Sequence, residues 1–175
     1  MDNRNPELTP DFPSKPQLLQ AIRLIGSEIE KQPLKSSSLA RIMRETFGGG
    51  DAGGAWSWRM AYDLMQAAAV MQLVRDSSSD ALAVARLLSS RLLTETRRSE
   101  QQIRLQQFST PLPYAALAIR AAAIRPGETV LEPSAGTGAL AGFAIRAGGK
   151  PMLNEIDAFR RTLLEVVFGS EVTGF

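Results

Sequence analysis

The chain has 175 residues and a mass of 19.0 kDa, enough to bury a real core as one domain or two small ones. Twenty Lys and Arg against eighteen Asp and Glu leave a net charge of +2, too small to argue for nucleic acid by itself. Cysteine and histidine are both absent, which removes disulfides, thiolate nucleophiles, Ser–His hydrolysis and His- or Cys-ligated metals; any chemistry must run on carboxylates, amides, hydroxyls and backbone.

Residues 1–16 carry Pro6, Pro10, Pro13 and Pro16 with few core formers and read as an extended arm. The spacing of Leu18, Ala21, Ile22, Ile25 and Ile29 predicts a helix over 17–31, stopped by Pro33. Ser36, Ser37 and Ser38 offer N-caps for a short helix to about Thr46. The glycine-rich run 48–54 breaks it and reads as a flexible hinge. A helix over 56–75 follows, with Ala61, Leu64, Met65, Ala68 and Met71 as its apolar stripe and Arg59, Asp63 and Gln66 on the other side. Trp56 and Trp58 are expected to pack a small core. After a serine-rich turn, a long helix is predicted from Ala81 to Gln107. Its first half shows Val84, Leu88 and Leu92; its second half exchanges the stripe for Arg97, Arg98 and Arg104.

From Phe108 the pattern changes. An alanine-rich helix over 114–124 opens at Pro111 and Pro113, and Pro126–Gly127 makes a turn. A buried strand over 129–131, a helix over 139–147, a strand over 151–155 and a helix over 158–168 come next, with a third strand beginning at Glu171. Strands alternating with helices imply right-handed βαβ units and a parallel sheet. The expected fold is therefore α/β: a flexible arm (1–16), a mostly helical N-terminal domain (17–105), and the first strands of a Rossmann-like sheet (106–175) that looks incomplete. An open edge of so short a sheet should be disordered, dimerised or covered by a partner.

The chemistry concentrates at Glu132, Gly136, Gly138 and Glu155. Two glycines after a strand let backbone pass close to a ligand, and the helix that follows offers unpaired N–H groups. The loop has no Gly-Lys-Ser/Thr of a triphosphate-binding loop and lacks the third glycine of the dinucleotide fingerprint. An acid ending the second strand is where ribose hydroxyls are held in doubly wound sheets. An acid ending the first could face a ligand ammonium. An adenosine with a cationic amino-acid tail satisfies both. The alternatives are an ordinary β–α turn for the glycines, a capping role near Ser134 for Glu132 and a solvated strand end for Glu155.

Val-Leu-Glu-Pro-Ser-Ala-Gly-Thr-Gly (130–138) resembles the S-adenosylmethionine loop of class I methyltransferases, in the version found in adenine-N6 DNA methylases. Gln-Phe-Ser-Thr-Pro (107–111) is similar to the aromatic–Ser/Thr–Pro segment that precedes their first strand. The nearest likeness is to the strawberry-notch-type proteins of bacteria, phages and plasmids, in which a methyltransferase-like domain precedes a helicase. The segment from Phe47 to Trp56 looks like the leader of that group. The methylase resemblance spans about 106–175. It implies that Glu132, Ala135, Gly136 and Gly138 surround the methionine part of S-adenosylmethionine. It further implies that Thr110 and Pro111 close over the cofactor, that Glu155 holds the ribose and that Ile156 packs on adenine, with Phe108 stacking nearby or serving the core.

The Asn/Asp-Pro-Pro-aromatic motif that grips the target base in those enzymes has no counterpart here. The chain by itself is expected to bind cofactor without transferring a methyl group. Three readings stay open at this point: part of a methylase–helicase acting on DNA, a short protein whose degenerate cofactor domain serves as a binding or anti-restriction module, or a helical adaptor that engages DNA or a protein partner. For the last, Arg86, Arg91, Arg97, Arg98 and Arg104 would supply the basic face, against the alternative of a solvated helix paired internally through Glu95 and Glu100. No apolar run spans a bilayer and no signal peptide is evident, so the expected location is cytoplasmic, without membrane or metal.

Overall fold

The computed structural model describes residues 13–78, 80–95, 109–169 and 172–174. Among them are seven helices and a two-stranded parallel sheet, an α/β fold that is mostly helical. In chain order they are α1 (Lys15–Lys31), α2 (Ser36–Phe47), α3 (Trp58–Arg75), α4 (Ala81–Arg91), α5 (Leu112–Ala122), β1 (Thr129–Glu132), α6 (Ala139–Arg146), β2 (Lys150–Leu153) and α7 (Ala158–Phe168).

Helix α1 begins where the Gln17 side chain reaches back to accept the Ser14 N–H at 3.0 Å, with Pro16 in the first turn. The serines of α2 lie inside its first turn, and Lys35 is the N-cap. Helix α4 stops at Arg91, short of the long helix expected. Its last arginine turns back instead, donating to the Ile29 and Glu30 carbonyls at 2.8 Å each and closing the C-terminus of α1. Glu95 accepts from Gln66 of α3 at 3.3 Å rather than serving a helix of its own. Arg97, Arg98, Arg104 and Phe108 lie outside the described residues, as does the arm through residue 12.

The glycine-rich run 48–54, expected to be a flexible hinge, is bonded to the two indoles that follow it. The Trp56 indole donates to the Gly49 carbonyl at 2.9 Å and the Trp58 indole to Asp51 Oδ2 at 3.0 Å, while the two rings meet edge to face at 5.5 Å.

Helix α3 is the organising element. It packs against α1, α6 and α7, and residues around its whole circumference are buried: Ala61, Tyr62, Leu64, Met65, Ala67, Ala68, Ala69, Val70 and Leu73. A helix apolar on every side is a core helix, which overrides the one-sided stripe expected from the sequence. One continuous core runs from Leu18, Ile22, Ile25 and Ile29 of α1 through α3 to Leu112 of α5, Phe143 of α6 and Leu163 of α7. Each such large side chain contributes roughly 1.5–3 kcal/mol on full burial.

Asp63 is therefore inside, not on a polar face: it is 2% exposed. Arg160 of α7, 3% exposed, donates to its Oδ1 from Nε at 3.1 Å and from Nη2 at 2.8 Å. Arg59, one turn before Asp63, lies 3.8 Å from Oδ2 and pairs with Asp157 at the start of α7. A buried carboxylate survives only when paired in this way.

Helix α6 covers one face of the sheet. Strands β1 and β2 run parallel in the register Thr129↔Lys150 to Glu132↔Leu153. Val130, Glu132, Pro151 and Leu153 turn toward the helices, whereas Leu131 (70% exposed) and Met152 (60% exposed) stand side by side on the open face. Beyond β2, Thr173 forms a single parallel bridge with Asn154, so the third strand is present as that bridge alone among the described residues.

Removing only one partner of the Asp63–Arg160 pair strands a buried charge. Asp63→Leu and Arg160→Met should each lower unfolding free energy by about 3–5 kcal/mol, and the double variant should recover most of the loss. Urea unfolding of the three proteins measures this; additive losses would contradict it.

Candidate functional site

Both predicted acids arrive at the C-terminal edge of the sheet, where open α/β sheets bind ligands. Glu132 ends β1. Glu155 stands two residues past the end of β2, which closes at Leu153 and not at Glu155 as the sequence suggested. By strand alternation both point to the helix-covered side. Two short zips hold the edge together. The Asn154 N–H donates to the Glu132 carbonyl at 2.9 Å and its carbonyl accepts the Ala135 N–H at 2.9 Å; its side-chain amide also donates to the Pro133 carbonyl at 3.0 Å.

Glu155 is buried, not solvated. Its Oε2 accepts the Gly136 N–H at 2.7 Å and its Oε1 the Asp157 N–H at 2.8 Å. The carboxylate thus joins the glycine turn of β1 to the turn that begins α7. Gly136 has φ +57° with open space where a Cβ would stand, so its backbone can be approached closely. Gly138 serves packing instead. Its φ is +89°, and a Cβ there would come within 2.7 Å of the Phe168 ring and 2.9 Å of Leu164, so only glycine lets α6 start against α7.

Across the glycine turn lies the Ser109–Thr110 segment. Ser109, Thr110, Ser134, Ala135, Gly136, Thr137, Ala139 and Leu140 enclose a crevice of about 40 Å³. The buried Ser109 hydroxyl oxygen lacks a hydrogen-bond partner among the described residues. Pro111 is the exposed N-cap of α5, next to this crevice but not lining it. Ile156 is 71% exposed on the rim beyond Glu155. Of the predicted residues, Thr110, Ala135 and Gly136 share the crevice, Glu155 holds its floor by hydrogen bonding, and Glu132, Pro111, Gly138 and Ile156 flank it. A roomier hollow of about 500 Å³ opens between α4, α5 and α6, lined by Leu82, Ile119, Arg120 and Phe143 among others, and contains none of them. Among the described residues no helix is long and apolar enough to cross a membrane, and no group of three acidic side chains is placed to hold a metal ion.

Sequence reasoning missed the charged cluster behind this edge. Arg59 and Asp63 sat in a stretch read as solvent-facing, and Asp157 and Arg160 were not singled out. The signal was present: Ala67, Ala69 and Val70 put apolar residues outside the supposed stripe, and a charge on a fully apolar helix needs a partner.

Electrostatics differ from acid to acid. Burial pushes the Glu132 carboxyl up, only partly offset by the Ser134 N–H. Burial also pushes Asp63 up, against the pull of Arg160 and Arg59. Asp157 moves the other way: burial opposes its ionisation, but the Arg160 N–H and the Arg59 guanidinium together outweigh it and hold the carboxyl below its ordinary value.

These directions give opposite pH signatures. A carboxyl raised on folding contributes stability that is complete below the unfolded value and lost as pH rises through the folded one. Glu132→Gln should therefore melt above the wild type near neutral pH and level with it at about pH 3. Asp157 is depressed, so its contribution is present above the unfolded value and lost as pH falls through the folded one. Asp157→Asn keeps a capping side chain and should melt below the wild type near neutral pH, the gap closing in acid. Melting temperatures across that range check both signs.

Comparison of the chain with protein-family models, with curated proteins and with solved structures returns no match, so its functional reading rests on these residues and their geometry.

Proposed function

We propose that this chain carries the adenosine-binding half of a Rossmann-like, class I methyltransferase-like domain, suited to S-adenosylmethionine, within a protein that modifies or remodels DNA. The observation that carries the reading is the meeting of Glu132, Glu155 and the left-handed Gly136 at the C-terminal edge of two adjoining parallel strands, with Thr110 facing the turn. The order of attachment, with Thr173 beside β2 and β2 beside β1, also agrees with the first three strands of a doubly wound sheet.

The residues fit the group in kind. Glu132, half-buried and accepting the Ser134 N–H, offers a negative charge to the ligand ammonium when ionised. The Glu155 carboxylate spends two of about four lone-pair positions on Gly136 and Asp157, which leaves acceptors for ribose hydroxyls. Thr110 and Ser109 supply hydroxyls opposite the glycine turn, and the exposed Ile156 gives adenine an apolar surface. When bound, the cofactor supplies a methyl group activated on a sulfonium. This chain's part is to grip and orient it: it has no Asn/Asp-Pro-Pro-aromatic motif to present a target base.

The enclosed space is small. About 40 Å³ falls far below the roughly 300–1,000 Å³ of ordinary small-molecule sites. Most of an adenosine ligand would rest outside it, along the Ile156 rim, so affinity should be weak.

Calorimetry or ligand-observed NMR with S-adenosylmethionine and its demethylated product tests the proposal. Saturable binding is expected with a dissociation constant on the order of 0.1–1 mM. It should weaken about tenfold in Glu155→Gln, which loses a charged acceptor, and also in Ile156→Asp, which leaves the buried contacts intact. Absence of saturable binding to either nucleoside would overturn it.

A further inference from the structure

The candidate site is joined to the helical part of the chain by a line of charged contacts that neither the loop nor the sheet requires. Arg59 of α3 forms an ion pair with Asp157 Oδ2, ninety-eight residues along the chain. Asp157 Oδ1 caps α7 by accepting the Arg160 N–H at 3.0 Å. The Asp157 N–H then donates to Glu155 Oε1 at 2.8 Å, and Glu155 Oε2 accepts the Gly136 N–H at 2.7 Å. An N-cap aspartate functions without a distant arginine. What Arg59 adds is a charged anchor on the core helix for a turn otherwise held by hydrogen bonds to Gly136, Thr173 and Arg161.

We infer that Arg59 is a positioning residue for the glycine turn: through Asp157 it holds the β2–α7 turn so that the Glu155 carboxylate stays locked on the Gly136 N–H. The inference deepens the adenosine-site reading and rests on it only for the ligand. The geometric claim concerns the chain alone. Its consequence is that the helical layer sets the shape of the crevice, so a disturbance at the N-terminal end of α3 is felt at Gly136. Arg160 is the neighbouring member of the same cluster: its guanidinium is hydrogen-bonded to Asp63, which also lies 3.8 Å from Arg59, and its charge acts on Asp157 and Glu155 as well. Arg161 contributes to the same turn by donating to the Glu155 carbonyl at 2.8 Å, and it restrains the backbone without touching the carboxylate.

The Gly136 amide resonance and its hydrogen exchange in the full chain read this directly, because a carboxylate 2.7 Å away governs both. In Arg59→Gln the amide should shift, lose about tenfold in protection and change its titration with pH, with Arg59→Lys restoring most of each effect. Lys15→Gln serves as the control. It removes the 2.9 Å pair with Glu165 that also ties the helical layer to α7, and it should leave Gly136 unchanged. An unmoved Gly136 in folded Arg59→Gln, or an equal loss in Lys15→Gln, overturns the inference. Should Arg59→Gln fail to fold, Arg59→Met decides: it keeps the packing stem and removes the charge, and it must displace the resonance measurably. Nucleoside titration of the same samples separates the two readings. A Gly136 response without ligand binding keeps the positioning role and removes the adenosine site, whereas binding untouched by Arg59 does the reverse.

Discussion

The Asp63–Arg160 pair is the constraint around which the molecule is arranged. Two opposite charges, each almost fully withdrawn from water, meet where α3 crosses α7. Such a pair adds little net stability compared with apolar packing, but it strongly penalises arrangements that separate its members. Apolar faces as alanine-rich as those of α3 and α6 could slide or rotate at small cost. A buried carboxylate with one guanidinium cannot. The pair therefore selects one docking of the α/β portion on the helical layer, and Arg59–Asp157 extends that selection to the first turn of α7.

The sheet is covered on one side only. Helix α6 shields Val130 and Leu153, while Leu131 and Met152 remain outside as an adjacent cross-strand pair. Parallel sheets usually have both faces covered, because their crossover helices alternate sides or form an outer ring. Here the described helices all gather on one side, together with α3 behind them. The core that begins in α1 continues to α6 and α7, and a smaller cluster of Ala135, Ala141, Leu153, Leu164 and Val172 lies between those helices and the sheet.

The same backing shapes the ligand edge. Glycines 136 and 138 sit two residues apart but do different work: one exposes its backbone to open space, the other makes room for Phe168 and Leu164. Glu155 satisfies the turn it would share with a ligand, which keeps a buried carboxylate stable while the crevice is narrow. A site that is satisfied by its own acid needs no ligand to be stable, and under the proposed reading a ligand would compete with or add to bonds already made.

Local pattern determined a large part of this. Apolar spacing located α1, α3 and α7, because period 3.6 is a property of short stretches of chain; β1 was located too, but the strand expected to be buried is half-exposed, with Leu131 on the open face because no described helix covers that side. Proline and glycine placed the ends of α1 and α2 and the turn at Pro126–Gly127 through their own backbone limits. The acids and the glycine turn were recognisable because strand, turn and helix N-terminus follow one another directly. Tertiary structure alone decided what spans the chain. That Asp63 would be buried depended on α6 and α7 arriving opposite α1, and no stretch of nearby residues records that. Helix α4 ends at Arg91, whose guanidinium reaches two carbonyls at the α1 C-terminus, 62 and 61 residues away. The glycine run 48–54 accepts hydrogen bonds from two indoles seven residues on, a local pairing that spacing alone did not reveal. For Asp63 and Arg91 a polar group met its partner from a distant segment, and the requirement that buried polar groups be paired, not local propensity, determined the outcome.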